Sequence, residues 1–425
     1  MNMPWNLARQ TARSAAKPLE GLEVALPDAL GLALASGVRA LASQPTCDTS
    51  AMDGYAVSGA GPWVVVGRVA AGDPVPGVWL RGGEAFGVAT GAPVPGGAEL
   101  VVPVERCSVE GGWLRETAGV AHPGHGCTGG HPHAAQVHSG SHADAARRQH
   151  GAPARAIAHP QPGTHPHPAA QLQPGKHIRR RGEDWSAGDE LIPAGSLVSP
   201  AVLGLAAGAG HDTLLVHRRP RVAVIVTGDE LLQAGPPRPG RVRDAIGPML
   251  PGLLKKADLL GTTHLRDDPD ALADALTFDA ADVLVTCGAT SVGPADHLRR
   301  VLAELQAEIL VSGVACRPGH PMLLAVLPDG RCVVGLPGNP FAALAAVLTL
   351  LNPLLDTLGG HHPRPPITAW LDEVAHPGDT RLIPVAGAVP VGHDRPGSLW
   401  GAALADALAV VPPGHQGGEV ELLPI

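Results

Sequence analysis

RVAVIVTGDE (residues 221–230) is a continuous apolar run, rich in β-branched residues, that ends in a glycine followed by two acids. A strand buried on both faces of a parallel sheet requires such a run, because neither face can take polar side chains. Asp282–Thr286, Ile309–Val311 and Cys332–Gly335 repeat the pattern. Between them lie segments with helical spacing. Asp268-Pro269 supplies a cap and a first-turn proline for a helix through Leu276, and Leu298, Val301, Leu302 and Leu305 fall on one helical face. A third helix, Ala342 to Leu358, closes on Gly359-Gly360. Alternation of this kind predicts right-handed crossovers and a doubly wound α/β sheet over 220–360.

Ligands of such sheets sit beyond the C-terminal strand ends. Three of the four predicted strands end in glycine-bearing loops: Thr227-Gly228-Asp229-Glu230, Cys287-Gly288-Ala289 on to Asp296, and Leu336-Pro337-Gly338-Asn339-Pro340. Glycines let backbone N–H groups approach an anion, and a following helix adds its positive end, which suits phosphate. Asp229, Glu230, Asp244 and Asp296 would oppose a bare anion, so a bridging Mg²⁺ reconciles the two features. Each loop taken singly also fits a ligand-free strand–glycine–helix turn with its acid as cap. Arg317-Pro318-Gly319-His320-Pro321 is a rigid turn with one permanent and one conditional positive charge, and Asp53 stands beside Gly54 and the chain's one tyrosine, Tyr55.

Outward from this region, residues 18–44 read as a helix starting near Asp28 and stopped by Pro45, and residues 46–106 as short strands of a small β domain. Residues 122–177 hold 11 of the 21 histidines among Gly, Pro, Ala, Gln and Ser, too little apolar surface to offset ordering entropy, and read as a disordered insertion. A helix and strand follow between Leu197 and Val216, and Ile367–Ile425 is β-like. The expected organisation is a linking and dimerisation domain (1–44 plus 176–219), a small β domain (45–120), the His-rich insertion (121–175), the α/β domain (220–360) and a C-terminal β domain (361–425).

With 31 Lys plus Arg against 39 Asp plus Glu and a formal charge of −8, a nucleic-acid or anionic-membrane partner is not expected. Six cysteines without a C-x-x-C pair predict reduced, mostly buried thiols. No run of about 18 apolar residues and no signal-peptide pattern is apparent, so the expected location is the cytoplasm.

Taken together, the motifs resemble the MoeA-type molybdopterin molybdenumtransferases, to which the gephyrin E domain is also similar. TSAMDGYAV (49–57), ATGAPVPGGAELVVPVE (89–105), GEDWSAGDEL (182–191), PRVAVIVTGDEL (220–231), Asp267-Asp268-Pro269, Thr286–Asp296, Arg317–Pro321 and Gly335–Pro340 follow in the family's order. The resemblance implies a four-part homodimer that performs Mg²⁺-dependent insertion of molybdate into adenylylated molybdopterin, with contact to the molybdopterin adenylyltransferase. It implies catalytic roles for Asp53, Asp229, Glu230, Asp244 and Asp296, with Glu230, Asp244 and Asp296 as metal ligands. Thr227, Gly228, Gly288, Ser291, Gly293, Pro337, Gly338 and Asn339 would take pterin and phosphate, and Arg317 and His320 the oxyanion. Ile246, Ala289, Arg317, His320 and Ala342 depart from the pattern, where Asn, Gly, Lys, Lys and Ser are usual. Three other readings stand beside this one: a catalytically degenerate paralogue that binds pterin or a partner, a metal-buffering protein using His131/His133 and His165/His167, and an adenylyl transferase.

Overall fold

The computed structural model describes residues 2–117, 173–278, 280–288, 297–374 and 378–425. The His-rich stretch from 118 to 172, with Cys127, and the loop residues 289–296 lie outside the described residues. The chain forms two compact units, residues 43–186 and residues 1–42 with 187–425.

The unit of 43–186 is built on a six-stranded sheet, as the short strand-like runs predict. Gly54–Val57 lies between Glu84–Val88 and Leu100–Pro103.

The larger unit opens with helix α1 (Trp5–Ser14), whose buried face is Trp5, Ala8 and Ala12. Residues 18–44 are not the predicted helix. Gly21–Ala25 is a strand paired antiparallel with Thr213–His217, and Leu26–Ala29 is a 3₁₀ turn. Leu22, Val24 and Leu26 alternate with period two, which serves a strand as well as a helix. The helix after Leu197 forms at Pro200–Gly208, capped by the Ser199 hydroxyl.

The α/β sheet comprises β1 (Arg221–Thr227), β2 (Asp258–Leu265), β3 (Val283–Cys287), β4 (Glu308–Ser312), β5 (Leu323–Val326) and β6 (Cys332–Leu336) in the order β2-β1-β3-β6-β5-β4. Helices α2 (Pro269–Leu276) and α3 (Leu298–Glu304) pack on one face, with Ile225, Leu284 and Val333. On the other, Val224, Val285 and Val334 meet Phe341, Leu344 and Leu351 of the long helix α4 (Pro340–Leu358). Both faces are thus apolar, which is why β1, β3 and β6 read as unbroken runs. Asp268 caps α2 as predicted, accepting from the N–H groups of Asp270 and Ala271.

Two predictions need correction. Ile309–Val311 falls in β4, an edge strand antiparallel to β5, and β5 is antiparallel to β6 through the Asp329-Gly330 turn. And α4, with 19 residues, is long and apolar enough to cross a membrane, although most of it is buried inside the protein. It is a core helix. Its polar Thr349 is satisfied by the Trp5 indole N–H at 3.0 Å.

The C-terminal strands β7 (Ile367–Val374), β8 (Thr380–Ala386), β9 (Ala407–Val411) and β10 (Gln416–Pro424) form a sheet that also takes Met3–Pro4 and Val314–Arg317. Leu382, Leu408 and Leu423 share the α4 core.

Candidate active site

The parallel register of β1, β3 and β6 pairs Val226 with Cys287 and Cys287 with Leu336, so the three glycine-bearing loops leave the sheet side by side. Gly288 has φ +95°, and a Cβ there would lie 2.9 Å from Thr227 Oγ1 and 3.0 Å from its carbonyl oxygen. A Cβ on Gly338 would reach the Gly288 Cα at 3.8 Å. Thr227, Gly288 and Gly338 therefore touch or nearly touch. Only glycine fits the middle position. The Gly288 N–H is used by the Leu336 carbonyl, whereas those of Gly338 and Asn339 donate to no acceptor among the described residues.

On one flank, Gly228 and Asp229 line a cavity of about 400 Å³ with Arg241, His264 and Arg266. Asp229 accepts from Arg266 Nε at 3.1 Å, its N–H donates to Asp267 at 3.2 Å, and its carbonyl takes the Arg241 guanidinium. Glu230 is exposed beside it. Asp244 differs. It is 6% exposed, Oδ1 accepts from the N–H groups of Ile246 and Gly247 at 2.9 and 3.0 Å, and Oδ2 lies 2.9 Å from His264 Nε2. The Ile246 side chain is buried in the main core, so an apolar residue suits that position.

On the other flank, a cavity of about 700 Å³ brings together Arg317, His320, Pro337 and Asn339, four of the expected site residues. Arg317 is opposite Arg381 on paired parallel strands, which places both guanidinium groups there. Each is held by an aspartate at 2.7 Å, Arg317 by Asp379 and Arg381 by Asp394. His320 Nε2 meets the Asn2 amide. The first α4 N–H groups, of Phe341 and Ala342, donate to the Pro396 carbonyl at 2.9 and 3.4 Å. Cys316 lines the same cavity, and burial, then the negative Asp379, pushes its thiol up to about 12.

In the 43–186 unit, Asp53 is exposed, and its Oδ1 accepts from the Thr90 N–H at 2.7 Å and the Thr90 hydroxyl at 3.1 Å. This bond ties TSAMDGYAV to ATGAP. Gly54 lets the Leu100–Pro103 strand pack against it, since a Cβ there would stand 2.1 Å from the Val102 carbonyl oxygen.

Ser291, Gly293, Asp296 and Ala289 lie outside the described residues. Among the described residues no three His, Cys, Asp or Glu side chains group as around a metal ion. With both oxygens of Asp244 engaged, the described donors do not make a resident Mg²⁺ site. Cys287, Cys316 and Cys332 are free and buried, Cys47 and Cys107 free and partly buried. The sequence reading missed Arg241, His264 and Arg266 on the acid flank and Asp379, Arg381 and Asp394 on the basic one. Nothing local marks them, because the register of β8 against Val314–Arg317 alone brings Arg381 to Arg317.

Residues 3–210 match the family profile "MoeA N-terminal region (domain I and II)" and residues 223–357 match "Probable molybdopterin binding domain". The chain is 33% identical over 354 residues to molybdopterin molybdenumtransferase 2 of Mycobacterium tuberculosis, covering 79% of this chain and 74% of that protein. It is 30% identical over 340 residues to the molybdopterin molybdenumtransferase of Synechococcus elongatus, covering 76% and 72%. A relative of the same name from Nostoc matches over 195 residues at 33% identity, 44% of this chain and 45% of that protein. In fold, the chain is similar to the crystal structure of a molybdopterin biosynthesis MoeA protein from Pyrococcus horikoshii, with a TM-score of 0.73 at 24% identity over 100% of this chain and 99% of that one.

Proposed function

The chain belongs to the MoeA family, and we propose that it inserts molybdate into adenylylated molybdopterin, releasing AMP, as a cytoplasmic homodimer. The enzyme class and the role in molybdenum cofactor biosynthesis follow from its relatives. One observation carries the finer reading: the Thr227, Gly288 and Gly338 loops converge beside a cavity that holds Arg317, His320, Pro337 and Asn339.

Cleaving a phosphate linkage mainly needs positioning and charge neutralisation. The Gly338 and Asn339 N–H groups would hold phosphate, and Arg317 and His320 would face the molybdate. Because Asp379 already pairs with Arg317, molybdate must compete for that guanidinium. Magnesium would arrive with the phosphorylated substrate and meet the exposed Glu230 and Asp229 carboxylates, a requirement that titration against EDTA tests.

The test uses the purified full chain with adenylylated molybdopterin and molybdate, reading AMP by chromatography. Molybdate-dependent AMP release is the expected result. Substrate binding without AMP release would establish the degenerate paralogue, a reading favoured by the engagement of Asp244 within the protein. Attachment of AMP to free molybdopterin would establish adenylyl transfer. Sedimentation should give twice 43.2 kDa. Co-sedimentation with the adenylyltransferase tests that partner, and metal titration of a chain lacking 122–175 tests the buffering role.

A further inference from the structure

A second concave surface, of about 930 Å³, lies between α1, the turn that follows α4, and β10. It shares no lining residue with the cavity around Arg317. Its charges do not balance. Arg9 is paired with Glu421, and Lys256 with Asp356 at 2.6 Å. Arg13 and Arg364 also line it, and neither meets a carboxylate within 4.0 Å among the described residues. Arg9 stacks 5.3 Å over the Trp5 ring, and its Nε is buried without an acceptor. His361 is held below the usual histidine range first by burial; Asp356 pulls it back up, and the positive Lys256 and Arg364 push it down again. The field inside is therefore positive.

Trp5, Leu197, Pro365 and Ile367 give the same surface an apolar wall. A cavity of several hundred Å³ with convergent polar groups on an apolar wall is the form of a small-molecule site. Planar guanidinium forks match phosphate oxygens in pairs. We propose that this cavity binds a small phosphate ester, with the phosphate on Arg13 and Arg364 and the organic part against Trp5 and the proline-rich turn. An acidic peptide fits less well, because the wall is apolar and offers unpaired cations at few points.

Calorimetry of the full chain with AMP, and separately with inorganic phosphate, at about 0.15 M salt tests the assignment. AMP is expected to bind with an event that Arg13→Gln with Arg364→Gln weakens at least tenfold and Arg317→Gln leaves unchanged, and to bind at least tenfold tighter than phosphate. The double variant should keep its transferase rate. No event sensitive to the double variant, equal affinity for AMP and phosphate, or tighter binding of a hexaglutamate peptide than of AMP would each overturn the proposal. The unmodified chain gives an independent readout by NMR titration of the His361 ring. A bound phosphate raises its midpoint, and an unmoved midpoint at saturating AMP rules the site out.

Discussion

On the acid flank of the sheet edge, the two oxygens of Asp244 meet two backbone N–H groups and an imidazole; on the basic flank, Arg317 and Arg381 stand opposite each other on paired strands, each held by an aspartate at 2.7 Å. The difference is one of exposure. Asp244 is 6% exposed and fastened from within, while the Arg317 side chain is 66% exposed, and its partner can be exchanged for a ligand. A charge buried with all its bonds made organises the loop, whereas a charge at the surface with one bond can switch.

Removing the buried group should have the largest effect. Asp244→Ala leaves two N–H groups and an imidazole unpaired, for a loss of about 3 kcal/mol in urea unfolding. Asp244→Asn keeps the Oδ1 acceptor and should fall within about 1 kcal/mol of the parent, with turnover reduced less than about tenfold. A loss of 100-fold at parental stability would instead make the carboxylate part of the chemistry and break the contrast.

At the opposite end of the same strands, Asp282 shows what a purely structural pair looks like. It accepts from both Arg218 Nη atoms at 2.7 and 2.8 Å and from the Arg221 N–H at 2.7 Å. Burial pushes its carboxyl up, but these bonds outweigh burial and hold it below the usual aspartate value of 3.8. Its contribution is therefore complete above pH about 3.8 and is lost as the pH falls through the lower folded value. Asp282→Asn should lower stability at pH 7 by about 2 kcal/mol, and the gap to the parent should narrow below pH about 4, with KM for molybdate unchanged throughout.

The glycines separate fold from ligand. Gly288→Ala must adopt a positive φ against Thr227 and should cost about 1–2 kcal/mol. Gly338→Ala has room among the described residues, its Cβ meeting no atom of theirs nearer than 3.8 Å, so its stability should change by less than about 0.5 kcal/mol while activity falls through blocked access to the loop. Equal stability loss in the two would show that Gly338 also serves the backbone.

How legible this was depended on where each residue lies. β1, β3 and β6 are buried on both faces and announce themselves. β2 escaped notice because it is a largely exposed edge strand, DLLGTTHL, with a glycine inside it. β5 hid behind the Arg317–Pro321 turn, although the Asp329-Gly330 pair is a hairpin signal. α1 buries one tryptophan and two alanines, too little apolar surface to stand out in sequence. At the site, Arg317, His320, Pro337 and Asn339 were readable because motifs carry them, while Asp379, Arg381 and Asp394 come from a strand and loops with no motif and enter through register alone.

Asp379 is therefore where the basic flank can be tested. Asp379→Asn removes the carboxylate that occupies Arg317 without removing the guanidinium, so KM for molybdate should fall severalfold with kcat little changed, a gain of about 1 kcal/mol in oxyanion binding. Arg317→Ala should raise KM instead. Cys316 gives a second readout in the same cavity, since its thiol donates to the Pro318 carbonyl at 3.5 Å and is raised first by burial and then by Asp379. Loss of the negative charge lowers the thiol pKa only in part, because burial remains, so alkylation at pH about 9 should quicken modestly. If alkylation quickens while KM does not move, Arg317 is freed but does not meet the oxyanion, and the exchange of partners on this flank is wrong.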